Sequence, residues 1–241
     1  MPPSLDQPWT ACGFAVLDLE TDGPDPSTAL PCEIAVARFE AGELVGSWST
    51  LLNPGREMSA EVIGIHGITN ELVADAPSYA EAVRLATECG LLEGAWPCGY
   101  NALSYDRTIL RHIADAGYEP PEPIPFETPP SKAIPWLAVD WIDPLVVVRD
   151  IDGLVKGQKG RHKLTAACER RGIVHERAHR AFGDCVATGK LLWAMREEIN
   201  RRGELTLGEL VRRTAARAKV QQADLDRYWG RGKVHGGADV R

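Results

Sequence analysis

The chain has 241 residues, 44% hydrophobic and 25% charged, with a formal net charge of −7, the balance of an ordinary globular protein with one sizeable core and an appendage. No run of about 18 apolar residues occurs, which excludes a membrane-spanning helix, and the stretch from Met1 to Thr10 lacks the apolar centre of an export signal. Six scattered cysteines (Cys12, Cys32, Cys89, Cys98, Cys168, Cys185) form no Cys-x-x-Cys pair, which argues against zinc and for reduced thiols in a cytoplasmic protein.

The charge is unevenly spread. From Ile151 onward there are 20 Lys and Arg against 11 Asp and Glu, whereas the preceding residues hold 7 against 23. A basic final third permits contacts with a polyanion without demonstrating them, because two solvated faces of opposite sign would read the same way.

In chain order, Cys12–Leu19 is a strand-like run closing on Asp18 and Glu20. Pro31–Glu40 and Glu43–Leu52 predict two more strands around a turn at Ala41-Gly42. Ser78-Tyr79-Ala80-Glu81 is a capping box opening a helix to about Cys89. Ala95–Gly99 is a short buried strand, and Tyr105–Gly117 has helical spacing. The six prolines between Glu119 and Pro130 dictate a loop. Ile134–Ile142 is expected as a fifth strand, with Asp143 capping the next helix. His162–Arg171 and Arg180–Arg202 are further helices, ended by Gly172 and Gly203. Strands first, then alternating helices and strands, predict one α/β domain over residues 10–203. Residues 204–241 are expected as a basic tail, helical or partly disordered.

Three segments carry candidate chemistry. In Phe14-Ala15-Val16-Leu17-Asp18-Leu19-Glu20-Thr21, strand alternation puts Asp18 and Glu20 on one face. Such a pair repels unless a cation lies between its members, or else it is an edge pair facing solvent. In Gly99-Tyr100-Asn101-Ala102-Leu103-Ser104-Tyr105-Asp106, Asp106 falls in a first helical turn, where an acid is also favoured by the helix dipole alone. In His179-Arg180-Ala181-Phe182-Gly183-Asp184, the two ends lie five residues apart. At about 100° per residue that separation takes His179 off the Asp184 face if both are helical, so His179 is better placed on an entry loop. Taken alone, it reads equally as a surface histidine.

Together, and in this order, the three segments resemble the DEDDh exonuclease family, a group that includes the proofreading subunit of bacterial DNA polymerase III, exonuclease I and ribonuclease T. The match runs from about Phe14 to Met195. Asp18 and Glu20 stand at the first motif, Asp106 at the second, and His179 with Asp184 at the third. His66-Gly67-Ile68-Thr69 resembles a family segment lining the nucleotide pocket. Tyr100-Asn101, with Asp106 five residues after the Asn, is similar to the longer form of the exonuclease I branch.

The resemblance implies a ribonuclease H-like fold, a mixed five-stranded sheet flanked by helices. It implies a metal-dependent 3′–5′ exonuclease acting on single-stranded or frayed DNA and releasing nucleoside 5′-monophosphates. Two divalent cations, Mg²⁺ or Mn²⁺, would be held by Asp18, Glu20, Asp106 and Asp184, with His179 as general base. By the same resemblance, Leu19 and Ile65 wedge against terminal bases, Thr21 and His66 contact the terminal nucleotide, and Asn101 and Tyr105 line the strand path. The partner is a nucleic acid with a free 3′ end, with a DNA polymerase or other replication or repair protein left open, and no membrane. An RNA exonuclease of the ribonuclease T or oligoribonuclease kind shares these motifs. A catalytically inactive binding module would be marked by a lost carboxylate, and none is lost.

Overall fold

The computed structural model describes residues 3–115, 134–153, 160–176 and 178–235, so the Pro-rich segment 119–130 lies outside the described residues. The first three expected strands form as β1 (Gly13–Thr21), β2 (Pro31–Glu40) and β3 (Glu43–Leu51), and the buried run Ala95–Cys98 is β4. They pair in the order β3-β2-β1-β4. β1–β2 and β2–β3 are antiparallel, and β1–β4 is parallel. Ala41 and Gly42 turn the β2–β3 hairpin with positive φ at both residues, the conformation that a tight two-residue hairpin demands.

Strand alternation splits the core into two layers. Phe14, Val16, Ala35, Ala37 and Phe39 face one side, and Ala15, Leu17, Leu19, Ile34 and Val36 face the other. Helices cover both faces, as a mixed sheet buried on two sides requires. The second face receives α3 (Tyr79–Glu88), capped by Ser78 as its capping box predicts, and α4 (Asp106–Asp115). Before them, α1 (Ala60–His66) and α2 (Asn70–Val73) flank the end of β3.

The expected fifth strand does not form. Among the described residues the sheet has four strands. Pro135 instead starts a short helix, α5 (Pro135–Ala138), in which the Leu137 and Ala138 N–H groups donate to the Ile134 carbonyl at 2.9 and 3.1 Å. Proline at a first helical position has its φ preset and loses no needed N–H. Trp136, Leu137 and Trp141 then pack as one cluster on the second face. Only Ile142 reaches the sheet, through one parallel bridge to Cys98.

The first face is covered by α6 (Pro144–Asp152), α7 (Leu164–Glu169) and α8 (Ala181–Ala194). Helix α8 lies close on the sheet because Gly189 has no side chain where the Phe39 ring sits. The single helix expected over Arg180–Arg202 is interrupted at Met195, where ψ is 2°, and resumes as α9 (Arg196–Ile199). Leu191, Leu192, Met195 and Ile199 all remain in one core across the break.

After Gly203 comes α10 (Leu207–His235). Thr206 and Glu209 close a reciprocal capping box at its start. Leu207, Leu210 and Val211 join the first-face core, and the Gln221 amide donates to the Val146 carbonyl at 3.0 Å. Residues 236–241 lie outside the described residues. All six cysteines are unpaired and five are buried, and among the described residues no helix is long and apolar enough to cross a membrane.

Candidate active site

β1 delivers its two acids at the end of the strand. Asp18 and Glu20 continue the Phe14/Val16 face, so they emerge on the side covered by α8. Asp184 lies in the first turn of α8, and the next residue, Cys185, anchors that turn to the sheet through its thiol, 3.3 Å from the Val16 carbonyl. One carboxylate oxygen from each of Asp18, Glu20 and Asp184 falls within 4.8 Å of the other two.

Their electrostatics follow from that crowding. Burial, then Asp184 and Glu33, pushes Glu20 up to about 8. Asp18 is raised well above the carboxylate range by burial and by Asp106, Asp184 and Glu20 in turn. Burial also raises Asp184, opposed by a hydrogen bond from His175 and by the nearby His179. Three half-buried acids held together against their own repulsion are short of positive charge.

Asp106 opens α4, where the structure buries it almost completely. Its Oδ1 accepts the Leu19 N–H at 3.0 Å, which pins the helix start to β1 between Asp18 and Glu20. Burial lifts it to about 7, against the pull of that backbone hydrogen bond. It is more buried than the three clustered acids and is not one of them. The loop leading to it is held by Asp143. Besides capping α6 through the Leu145 N–H, Asp143 accepts the N–H groups of Asn101 at 2.9 Å and Leu103 at 3.2 Å. That hold supports Asn101 at φ +63°, a conformation that Asn tolerates better than most residues.

His179 lies on the turn entering α8, exposed and with φ +64°, the entry position that its spacing from Asp184 predicts. Two residues that the sequence reading passed over secure this turn. Glu33 on β2 sits directly across from Glu20. It accepts from the Arg180 guanidinium at 2.8 and 3.1 Å and from the Ala181 N–H at 3.1 Å. Its signal in the sequence is a charge inside the otherwise apolar run Pro31-Cys32-Glu33-Ile34-Ala35-Val36. His175, in the loop before the turn, lies 2.7 Å from Asp184 through Nε2, and nothing in its sequence neighbourhood marks it.

The remaining candidates form two groups. Thr21 Oγ1 lies 2.6 Å from the Tyr105 hydroxyl, and both point to the Gly23 carbonyl, at 2.9 and 2.5 Å. Two hydroxyl protons thus serve three contacts, and the group fixes the turn after β1. His66, at the end of α1, is buried with Nδ1 accepting the Ile68 N–H at 3.0 Å and Nε2 towards Cys32 Sγ at 3.7 Å. Its neighbour Ile65 is 55% exposed, whereas Leu19 is 6% exposed and packed in the second-face core. Asn101 turns its side-chain carbonyl to the Ser104 hydroxyl at 2.7 Å.

The donor set fits a hard divalent cation. It is all carboxylate oxygen, with no thiolate in the cluster, and Mg²⁺ and Mn²⁺ favour such ligands over the nitrogen and sulfur donors that suit zinc.

This arrangement has counterparts among known proteins. The chain is 28% identical over 194 residues to a PolC-type DNA polymerase III of Latilactobacillus sakei, covering 80% of this chain but 12% of the relative. It is 29% identical over 211 residues to a DNA polymerase III subunit epsilon-like protein of Rhodobacter capsulatus, covering 86% of this chain and 27% of the relative. The chain therefore spans only a fraction of the curated relatives that it matches. In fold it is similar to exonuclease I of E. coli bound to a dT13 oligonucleotide, with a TM-score of 0.61 at 19% identity over 79% of this chain and 42% of that one. It also resembles exonuclease X in complex with 5′ overhanging duplex DNA, with a TM-score of 0.59 at 23% identity over 83% of this chain and 99% of that one. The RNase_T family model, described as an exonuclease, matches residues 15–192, the span from β1 through the α8 that carries Asp184, and the chain belongs to that exonuclease family.

Proposed function

We propose that this protein is a 3′–5′ exonuclease that hydrolyses the terminal phosphodiester of single-stranded or frayed DNA, releasing nucleoside 5′-monophosphates. The observation that carries the reading is the convergence of Asp18, Glu20 and Asp184 within 4.8 Å, beside the exposed His179 at the head of α8. Asp18, Glu20 and Asp184 would hold one divalent cation, and Asp18 with the more recessed Asp106 a second. Cations bound there supply positive charge against the phosphodiester and make a water easier to deprotonate.

The chain's own residues do the rest. A ring nitrogen of His179 accepts the proton of the attacking water, a role that suits an exposed imidazole on the rim of the acidic cluster. Asp106 keeps its place through the Leu19 N–H, which ties the start of α4 to the end of β1. The exposed Ile65 offers apolar surface against which terminal bases part, with the buried Leu19 on β1 as part of the core that backs the site. His66 and Thr21 shape the pocket floor beneath the terminal nucleotide, with Tyr105 and Asn101 along the path of the strand. The likeness to exonuclease I and exonuclease X, each solved with DNA, supports DNA over RNA as the substrate. The polymerase III relatives make a replication protein the partner to look for.

The test uses 5′-labelled single-stranded DNA, duplex DNA and RNA, each with Mg²⁺ or Mn²⁺. A descending ladder on single-stranded DNA is the expected result. Immediate release of the labelled nucleotide, or cleavage of circular strands, refutes the assigned polarity. Faster turnover of RNA moves the protein to the ribonuclease reading.

A further inference from the structure

His175 is not one of the motif residues, yet it is the side chain in closest polar contact with Asp184. Its side chain is 4% exposed, and that of Asp184 is 19% exposed. Nε2 lies 2.7 Å from Asp184 Oδ1, and Nδ1 lies 2.9 Å from Thr165 Oγ1 on α7. A ligating carboxylate only accepts, so Nε2 carries the hydrogen that faces it. Thr165 can satisfy the other nitrogen whichever way the ring is protonated. Its hydroxyl donates to a neutral Nδ1 and accepts from a protonated one. The Thr165–His175 pair therefore presents an N–H to Asp184 with the ring neutral or protonated.

We propose that His175 is a positioning residue: it occupies Asp184 Oδ1, fixes the carboxylate plane, and commits the other oxygen to the cation shared with Asp18 and Glu20. The role rests on the divalent-cation reading given above. Without this hydrogen bond, Asp184 on the first turn of α8 keeps only a backbone hydrogen bond from His179 to orient it, beside two acids that repel it. The partner of a ligating group commonly sets its orientation and basicity, and losing such a partner costs about 10–100-fold in metal affinity. The geometry also separates the two histidines of the loop. Both ring nitrogens of His175 are engaged in a buried setting, whereas His179 is exposed. His175 therefore acts through Asp184 and has no path to a substrate proton.

The experiment measures Mn²⁺ binding to the full chain by the electron paramagnetic resonance signal of the free ion, without substrate. His175→Phe keeps the ring volume and removes the donor, and it is expected to weaken Mn²⁺ binding about 10–100-fold. His175→Gln carries an amide N–H near the position of Nε2 and should recover most of the loss. Thr165→Val should shift affinity in the same direction by a smaller factor. At saturating Mn²⁺ the KM for a DNA strand should match wild type, because a side chain only 4% exposed is not placed to contact a strand. A folded His175→Phe chain with wild-type Mn²⁺ affinity overturns the proposal, as does a Gln variant no better than Phe. If His175→Phe fails to fold by circular dichroism, Thr165→Val decides, and unchanged affinity there overturns it. A wild-type chain that binds no Mn²⁺ refutes the cation reading itself, and that result is distinct from wild type and variants binding equally.

Discussion

Glu33 and Arg180 are 147 positions apart in the chain, yet the Glu33 carboxylate receives the Arg180 guanidinium through two hydrogen bonds. With a further hydrogen bond from the Ala181 N–H, Glu33 caps α8 from the sheet face on which that helix packs. The turn it closes contains His179 at φ +64°, a conformation that non-glycine residues keep only when their surroundings enforce it. Glu33→Ala should release this turn and cost about 1–3 kcal/mol of stability, the range for a lost charged hydrogen-bond partner. Turnover should fall with it, because His179 loses its fixed place. Glu33→Gln keeps an acceptor for Ala181 and should be milder in both respects. Urea unfolding and turnover measured on the same preparations check this, and unchanged turnover in a destabilised Glu33→Ala chain would show that the turn holds without Glu33.

His179→Ala and Asp184→Asn should fail differently. Removing a general base costs about 10²–10⁴ in rate while leaving the three carboxylates in place. The His179→Ala chain should therefore bind Mn²⁺ and a DNA strand much as wild type does and turn over slowly. Asp184→Asn removes one of the three clustered carboxylates and should lose turnover and metal affinity together. Wild-type turnover by His179→Ala would assign the proton transfer to another group.

Chelation should abolish hydrolysis, and Mg²⁺ or Mn²⁺ should restore it. A cation that binds the folded cluster and not the dispersed acids should also raise the melting temperature, by an amount that keeps growing with the logarithm of its concentration above Kd. Full turnover in excess chelator is the outcome that sinks a cation-dependent mechanism.

The same acids set the pH dependence of stability in the metal-free chain. Glu20 rises from its ordinary value to about 8 and Asp106 to about 7. The folded state thus holds protons that the unfolded state has already released. Stability is therefore fullest below the ordinary carboxylate range and drains away as pH climbs through about 7 to 8. Thermal melts in chelator from pH 5 to pH 9 should show a declining midpoint, and added Mg²⁺ should flatten the decline. A midpoint that rises across this window would mean that the acids are ionised and paired in the folded chain.

Much of this architecture is local, and local physics is legible in a sequence. The alternation in Phe14–Glu20 puts Asp18 and Glu20 on one face whatever they meet there. Ser78 and Asp143 cap the helices after them because capping needs only a side-chain acceptor within three residues of the donor. The expected strand at Ile134–Ile142 failed for a reason also present in the sequence. Pro135 favours a helix start, and a run of tryptophans and leucine that suits a buried strand also suits a buried helix.

The sequence by itself determined the candidate residues, the face that Asp18 and Glu20 share, and the family to which their order belongs. Only the tertiary structure decided what touches what. The Leu19–Asp106 hydrogen bond spans 87 positions and the Glu33–Arg180 pair 147, separations over which no propensity or period acts. Even the nine-position step from His175 to Asp184 is closed only in the folded chain, where Thr165 on α7 holds the other ring nitrogen, so a histidine with no motif around it becomes the nearest partner of a clustered carboxylate. Contacts of this kind depend on where folding brings two surfaces together, and that is fixed by the whole core and not by the segment that contributes the side chain.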